Sequence, residues 1–263
     1  MLNPSLSSAE SRPAAPLGDT LIMVGRSLRL ASRNLDVLLT ALILPVMLMV
    51  LFVYLFGGAI DTGTTYVTYV VPGVLLLCAG YGASLTAVSV SQDLTGGIID
   101  RFRSLDVSGA ALLAGHVVAS VLRNLISTVL VLGVALLIGF RPSAGPLEWL
   151  AAAGILLVYI LALSWLSAVV GLLARSPEAA SGFSFFFLFL PYPSSAFVPI
   201  NSMPSWIQGF AQHQPVTPVT ETIRGLLVGT PVGSNPWIAL AWCGAILFVS
   251  VVLASILFPR RTA

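Results

Sequence analysis

Apolar blocks alternate with short polar connections along most of the chain, and several approach the roughly 20 residues needed to cross hydrocarbon. Six are predicted as membrane-spanning helices, at about 37–56, 66–90, 110–140, 147–173, 179–190 and 236–258. Pro45 and Pro72 fall inside the first two, where a bilayer helix tolerates proline. The fifth block is rich in phenylalanine and is stopped by Pro191 and Pro193. Ahead of the first block, residues 20–36 carry a helical pattern. Leu21, Val24, Leu28, Ala31 and Leu35 share one face, Arg26, Arg29 and Arg33 gather on the other, and Ile22 and Leu30 blur the boundary. Such a helix either lies in the membrane interface, its arginines among lipid phosphates, or rests on a cytosolic surface. The span that follows at once favours the interfacial helix. Residues 1–18 are rich in serine, proline and alanine and are expected to form a disordered cytoplasmic tail, leaving 19–263 as a single transmembrane domain.

Two connections stand out. Residues 93–106 hold three carboxylates and two arginines between blocks that carry almost no charge. Gly96-Gly97 permits a sharp turn, after which Ile98, Arg101 and Leu105 fall on one side of a helix and Asp100, Arg103 and Ser104 elsewhere. A short amphipathic helix of this kind fits a groove on a partner protein; the other reading is a solvated connector. The second connection, 194–235, interleaves Pro199, Pro204, Pro215 and Pro218 with Phe197, Ile200, Trp206, Ile207 and Phe210. It is expected to form broken short helices at or within the outer interface. Thr217-Pro218 reads as a helix start and Gly229 as its stop. Glu221 and Arg224, three apart, read as an exposed ion pair worth under about 1 kcal/mol.

Composition makes the membrane reading firm. Only 8% of residues are charged, against about 25% in soluble domains, while 57% are hydrophobic and the mean hydropathy is +0.98. An even number of spans places both termini on one side, and arginine says which. With the tail inside, Arg12, Arg26, Arg29, Arg33, Arg101, Arg103, Arg175, Arg260 and Arg261 are cytoplasmic, and only Arg141 and Arg224 are external. The expected location is the plasma (inner) membrane, multi-pass, with both termini and the 93–106 connection in the cytoplasm. Tyr66, Trp149, Trp206 and Trp237 fit interfacial belts.

Chemistry of its own finds little support. All twelve basic residues are arginine, so a P-loop with its phosphate-binding lysine is excluded, as is Schiff-base lysine chemistry. The net charge of +2 gives no sign of nucleic acid. His116 and His213 stand far apart, and no metal spacing or nucleophile motif occurs. Cys78 and Cys243 fall inside apolar blocks and read as packing residues. Arg123, beside Asn124 in the third block, is the exception, because a charge at depth costs on the order of 3 kcal/mol. It either snorkels to the cytoplasmic headgroups or lines a pathway. No carboxylate accompanies it at mid-span, which disfavours a proton relay.

Several stretches, in chain order, resemble one family. They are Arg33-Asn-Leu35, Leu55-Phe-Gly-Gly-Ala-Ile60, Tyr69-Val-Val-Pro-Gly73, Gly97-Ile-Ile-Asp-Arg-Phe-Arg-Ser-Leu105 and Pro177-Glu178. Further along come Ser195-Ala-Phe-Val-Pro199, Met203-Pro-Ser-Trp206, Gln214-Pro-Val-Thr217 and Arg224-Gly225. Together they resemble the permease subunits of type-2 ABC exporters, most closely the daunorubicin-resistance subgroup. Asp106 departs from the pattern, standing where the family carries proline.

The resemblance implies an all-α polytopic fold: six transmembrane helices preceded by an interfacial amphipathic helix, with an external re-entrant hairpin between helices five and six. It implies that Ile98, Asp100, Arg101, Phe102, Arg103 and Leu105 form a coupling helix seated in a separate ATP-binding subunit. It makes Phe197, Pro199, Trp206, Glu221 and Arg224 part of an external gate. Two ATP-binding subunits and a second permease copy, identical or similar, complete the implied assembly among membrane lipids. ATP and magnesium belong to the partner, no cofactor is expected in this chain, and the chain is not itself an enzyme. The implied cargo is a hydrophobic drug, antibiotic or lipid-like molecule moved outward. The competing reading is a passive channel or scaffold that needs no ATPase.

Overall fold

The computed structural model describes Gly25 and residues 35–96 and 109–262. The expected tail, the arginines Arg26, Arg29 and Arg33, and the coupling residues Ile98 to Leu105 lie outside the described residues.

The described chain is helical. Helix α1 (Leu35–Leu51) runs on into a π-helical turn (Phe52–Phe56) that the sequence pattern did not announce. Helices α2 (Tyr66–Thr95), α3 (Gly109–Ile138), α4 (Pro146–Leu173), α5 (Pro177–Phe189), α6 (Ser205–His213), α7 (Val216–Val228) and α8 (Asn235–Thr262) follow, with a 3-10 turn at Ile200–Ser202 ahead of α6. Among the described residues α2, α3, α4 and α8 are long and apolar enough to cross a membrane. The 13-residue α5 rises about 20 Å, short of a hydrocarbon layer of about 30 Å.

Local signals explain most of the boundaries. Pro146 opens α4, with the Glu148 carboxylate accepting from Gly145 N–H. Ser176 caps α5, its hydroxyl accepting from Ala179 N–H at 3.2 Å ahead of Pro177. Gly229 ends α7 with φ of 79°, the left-handed conformation that glycine adopts without strain. The start of α7 differs from expectation, with Pro215 at the cap position and Val216 first in the helix. The Thr217 hydroxyl does not cap; it donates to Ala211 O at 2.5 Å and accepts from Ser195 N–H at 3.4 Å. A tertiary contact has taken the side chain that would have capped.

Helix α2 is the axis of the bundle. It packs against α1, α3, α4, α5 and α7, and it is buried along nearly its whole length. Glycines allow the close approach: a Cβ on Gly73 would stand 2.6 Å from the Ala196 Cβ and 2.7 Å from its carbonyl oxygen. One on Gly80 would stand 2.9 Å from Phe187 O, and one on Gly171 of α4 would stand 2.6 Å from Ala87 O. Small residues that let backbones touch are how helices associate where lipid supplies no hydrophobic drive.

The connections sort into two ends. At the first, the Tyr66 hydroxyl donates to Phe197 O at 2.8 Å, and Ser143 donates through N–H and Oγ to Leu227 O and Val228 O at 3.0 and 2.8 Å. This gathers the start of α2, the α3–α4 connection and the 190–234 region. At the second end, Arg261 donates to Leu173 O at 2.6 Å, tying the last turn of α8 to the C-terminus of α4.

Candidate functional site

The first-end site is built around Arg224. Position 224 lies on α7, whose residues from Val216 to Gly225 are buried apart from Glu221. Its Nε donates to Tyr69 O at 3.1 Å, Nη2 to Ser195 O at 2.6 Å and Nη1 to Glu221 Oε1 at 2.5 Å. The guanidinium carbon also lies 3.7 Å from the centroid of the Tyr69 ring. Only 8% of Arg224 is exposed, so the expected solvent-exposed ion pair is corrected to a buried arginine clamp. The reason is geometric: the planar fork serves several acceptors at once, and two of them are main-chain carbonyls on other segments. Glu221 keeps contact with an open hollow of about 440 Å³ that Tyr69, Ser195, Gln208 and Gln212 also line.

Of the residues assigned to an external gate, Phe197 is buried, stacked between Phe52 and Tyr192 at ring distances of 4.6 and 5.2 Å. Pro199 borders the hollow beside Glu221. Trp206 is 80% exposed on α6 and takes no part in the clamp. Tyr69 and Ser195 do take part, and Tyr66 holds the adjacent Phe197 O; none of the three is a site residue in the sequence reading. The Tyr69-Val-Val-Pro-Gly73 stretch marked the place, but no sequence pattern pairs position 69 with position 224.

Arg123 occupies the middle of α3 and turns onto α2. Its Nη2 donates to Thr86 Oγ1 at 3.0 Å and to Gly82 O at 3.4 Å. Asn124, buried next to it, abuts Gly82 so closely that a Cβ there would overlap its carboxamide. Ser120 and Ser164 share a hydrogen bond of 2.9 Å, and Asn124 reaches Ser120 at 3.5 Å, so a polar seam links α2, α3 and α4 inside the bundle. Among the described residues no carboxylate pairs with Arg123.

At the second end, His116 Nε2 meets Asp93 Oδ2 at 3.1 Å, with the side chains only 12% and 14% exposed. This ties the last turn of α2 to the early part of α3. No local spacing rule pairs His116 with this carboxylate, which lies 23 positions away. Cys78 and Cys243 are free and buried, as packing residues are.

The described residues place polar fixtures along α2 and hold no cluster of three metal-ligating side chains. The family described as ABC-2 type transporter matches residues 19–228, which takes in α1 to α7 and stops at the end of α7. The daunorubicin resistance ABC transporter permease protein DrrB1 of Streptomyces coeruleorubidus is 32% identical over 258 residues, covering 96% of this chain and 88% of the relative. The probable doxorubicin resistance ABC transporter permease protein DrrC of Mycobacterium tuberculosis is 27% identical over 248 residues, covering 94% and 90%. With most of its length matched by the family and nearly all of it aligned to such permeases, the chain belongs to the ABC-2 type transporter family.

Proposed function

We propose that this chain is the membrane-spanning permease subunit of an ATP-driven exporter, with ATP hydrolysed in a separate nucleotide-binding partner. The observation that carries the reading is the alignment of nearly the entire chain to permeases named for daunorubicin and doxorubicin resistance. A hydrophobic drug, antibiotic or lipid-like cargo follows from those names and from the apolar helices. The proposed assembly holds two ATP-binding subunits and a second permease copy, identical or similar to the first, in the plasma membrane with both termini cytoplasmic.

In this assembly six helices span, α1 and α5 among them, and α6–α7 form an external re-entrant hairpin that closes the outer end. The burial of α7 supports that placement, as does its contact with α2, α4 and α8. The arginines Arg26, Arg29 and Arg33 hold an interfacial helix on lipid phosphates, and Ile98, Asp100, Arg101, Phe102, Arg103 and Leu105 meet the ATPase. Phe197, Pro199, Glu221 and Arg224 act at the outer end, with Trp206 at its lipid-facing margin, and Arg123 borders the pathway.

The test is ATP-dependent uptake of daunorubicin into inverted vesicles that contain the permease and its ATP-binding subunit. Arg101→Glu with Arg103→Glu is expected to abolish uptake while the permease still inserts and survives extraction. Uptake and ATPase association that both persist in this variant would remove the coupling assignment. Transport or conductance by the permease alone, without nucleotide, would favour the passive channel instead.

A further inference from the structure

We propose that α2 is the transmission element of the permease, with Asp93–His116 as the positioning pair at its inner end and the Arg224 clamp as the fixture that receives its motion at the outer end. The inference rests on the exporter reading and assigns residues that the reading leaves without a role.

Three observations carry it. The first is close packing. Gly73, Gly80 and Gly171 let α2 meet the 195–197 turn, α5 and α4 at backbone distance. Close-packed interiors of this sort transmit strain rather than absorb it.

The second is the pair of end fixtures. Asp93 stands two residues before Thr95, where α2 ends, and His116 stands seven residues after Gly109, where α3 begins. Their bond therefore joins the two helices on either side of residues 97–108. A push delivered between those helices cannot splay them while the bond holds, so it is passed along the helix axis. Arg123 repeats the tie deeper in the bundle through Thr86 and Gly82.

The third is the receiver. Arg224 Nε holds the main-chain carbonyl of Tyr69, and Tyr66 Oη holds Phe197 O. An axial shift of α2 moves the Tyr69 carbonyl itself, not a flexible side chain. Because Nη2 of the same guanidinium holds Ser195 O, the 195–197 turn and α7 must follow or the clamp must open. Asp93 and Tyr69 are separated by about 36 Å along the helix. One element thus spans the distance between the two fixtures.

The experiment uses the permease with its ATP-binding subunit in vesicles and reads daunorubicin moved per ATP hydrolysed. His116→Phe keeps a ring and removes the nitrogens; His116→Leu carries the same expectation if that variant fails to assemble. Transport per ATP is expected to fall about ten-fold while ATP turnover stays within about two-fold. His116→Gln, whose carboxamide can donate to Asp93, is expected to recover most of the ratio. Substitutions this far apart ordinarily act independently. Transmission through one rod predicts instead that His116→Phe with Arg224→Met is no worse than the worse single variant. Transport and ATP turnover falling in step, or losses that multiply in the double variant, would overturn the inference alone. A wild-type complex that moves no daunorubicin on ATP would overturn the exporter reading, and this inference with it.

Discussion

Helices α2 and α8 are nearly equal in length, and α8 is the more apolar, yet most of α2 is buried inside the bundle and α8 turns most of its surface outward. Only a stripe of α8, through Ala239, Cys243, Ser250 and Ala254, is buried. Trp237, Trp242, Phe248, Val249 and Leu253 face away from the bundle. In water the more apolar helix would be the one inside. In a bilayer the order reverses, because lipid accepts large apolar side chains as readily as protein does. Close helix packing then selects glycine, alanine, serine and threonine. Close backbone approach at particular glycines, not hydropathy, separates the axis of this protein from its periphery.

The sharpest way to break that comparison is to add one methyl group to the axis. Gly73→Ala would drive a Cβ into Ala196, where the nearest atoms are its Cβ and backbone and none can swing aside. The cost is expected to be about 3 kcal/mol, the upper part of the range for overpacking a filled core. The buried thiols Cys78 and Cys243 supply the measurement, since each reacts with a thiol dye only when its surroundings open. In detergent, Gly73→Ala should shift the midpoint of thermally induced labelling well below that of the parent. An unchanged midpoint would show that the close approach is not what holds α2.

A smaller effect is expected at the polar end of the axis. Arg224→Met keeps length and removes the fork, leaving the Tyr69 and Ser195 carbonyls without this donor and Glu221 without its partner. Buried acceptors stripped of a donor cost about 2 kcal/mol here, with the Glu221 share small because that carboxylate is one-third exposed. Arg224→Lys should fall between parent and Arg224→Met, since one ammonium cannot serve three directions. The same labelling midpoint reads the series. If methionine were neutral, the fixture at the Tyr69 end of α2 would be steric, and the clamp would be incidental to it.

How much of this could be read beforehand follows from what each feature depends on. The long helices were legible: blocks expected at 66–90, 110–140, 147–173 and 236–258 correspond to α2, α3, α4 and α8, because run length and terminal proline or glycine are local signals. The stop at Gly229 was legible for the same reason. The start of α7 was not, since Thr217 spends its hydroxyl on Ala211 and Ser195. The clamp reads from sequence as a surface ion pair because the Glu221 spacing is local, whereas Tyr69 lies 155 positions from Arg224. His116 and Asp93 likewise needed the fold to bring them together. The centrality of α2 was present in its glycines and threonines, which look like weak helix formers until packing gives them a use.

The mildest substitution completes the comparison. Gly244→Ala on α8 makes the same chemical change as Gly73→Ala, and nothing lies within 4 Å of the added Cβ. Alanine is the better helix former, so the labelling midpoint should stay level or rise, within about 0.5 kcal/mol of the parent. Two identical methyl groups, one on each helix, would then differ in sign as well as size. Had hydropathy set the architecture, the two sites would respond alike, since both sit in long apolar helices. A loss at Gly244 as large as that at Gly73 would mean that another surface closes over this face of α8. The contrast between axis and periphery would then belong to the single chain and not to the assembled transporter.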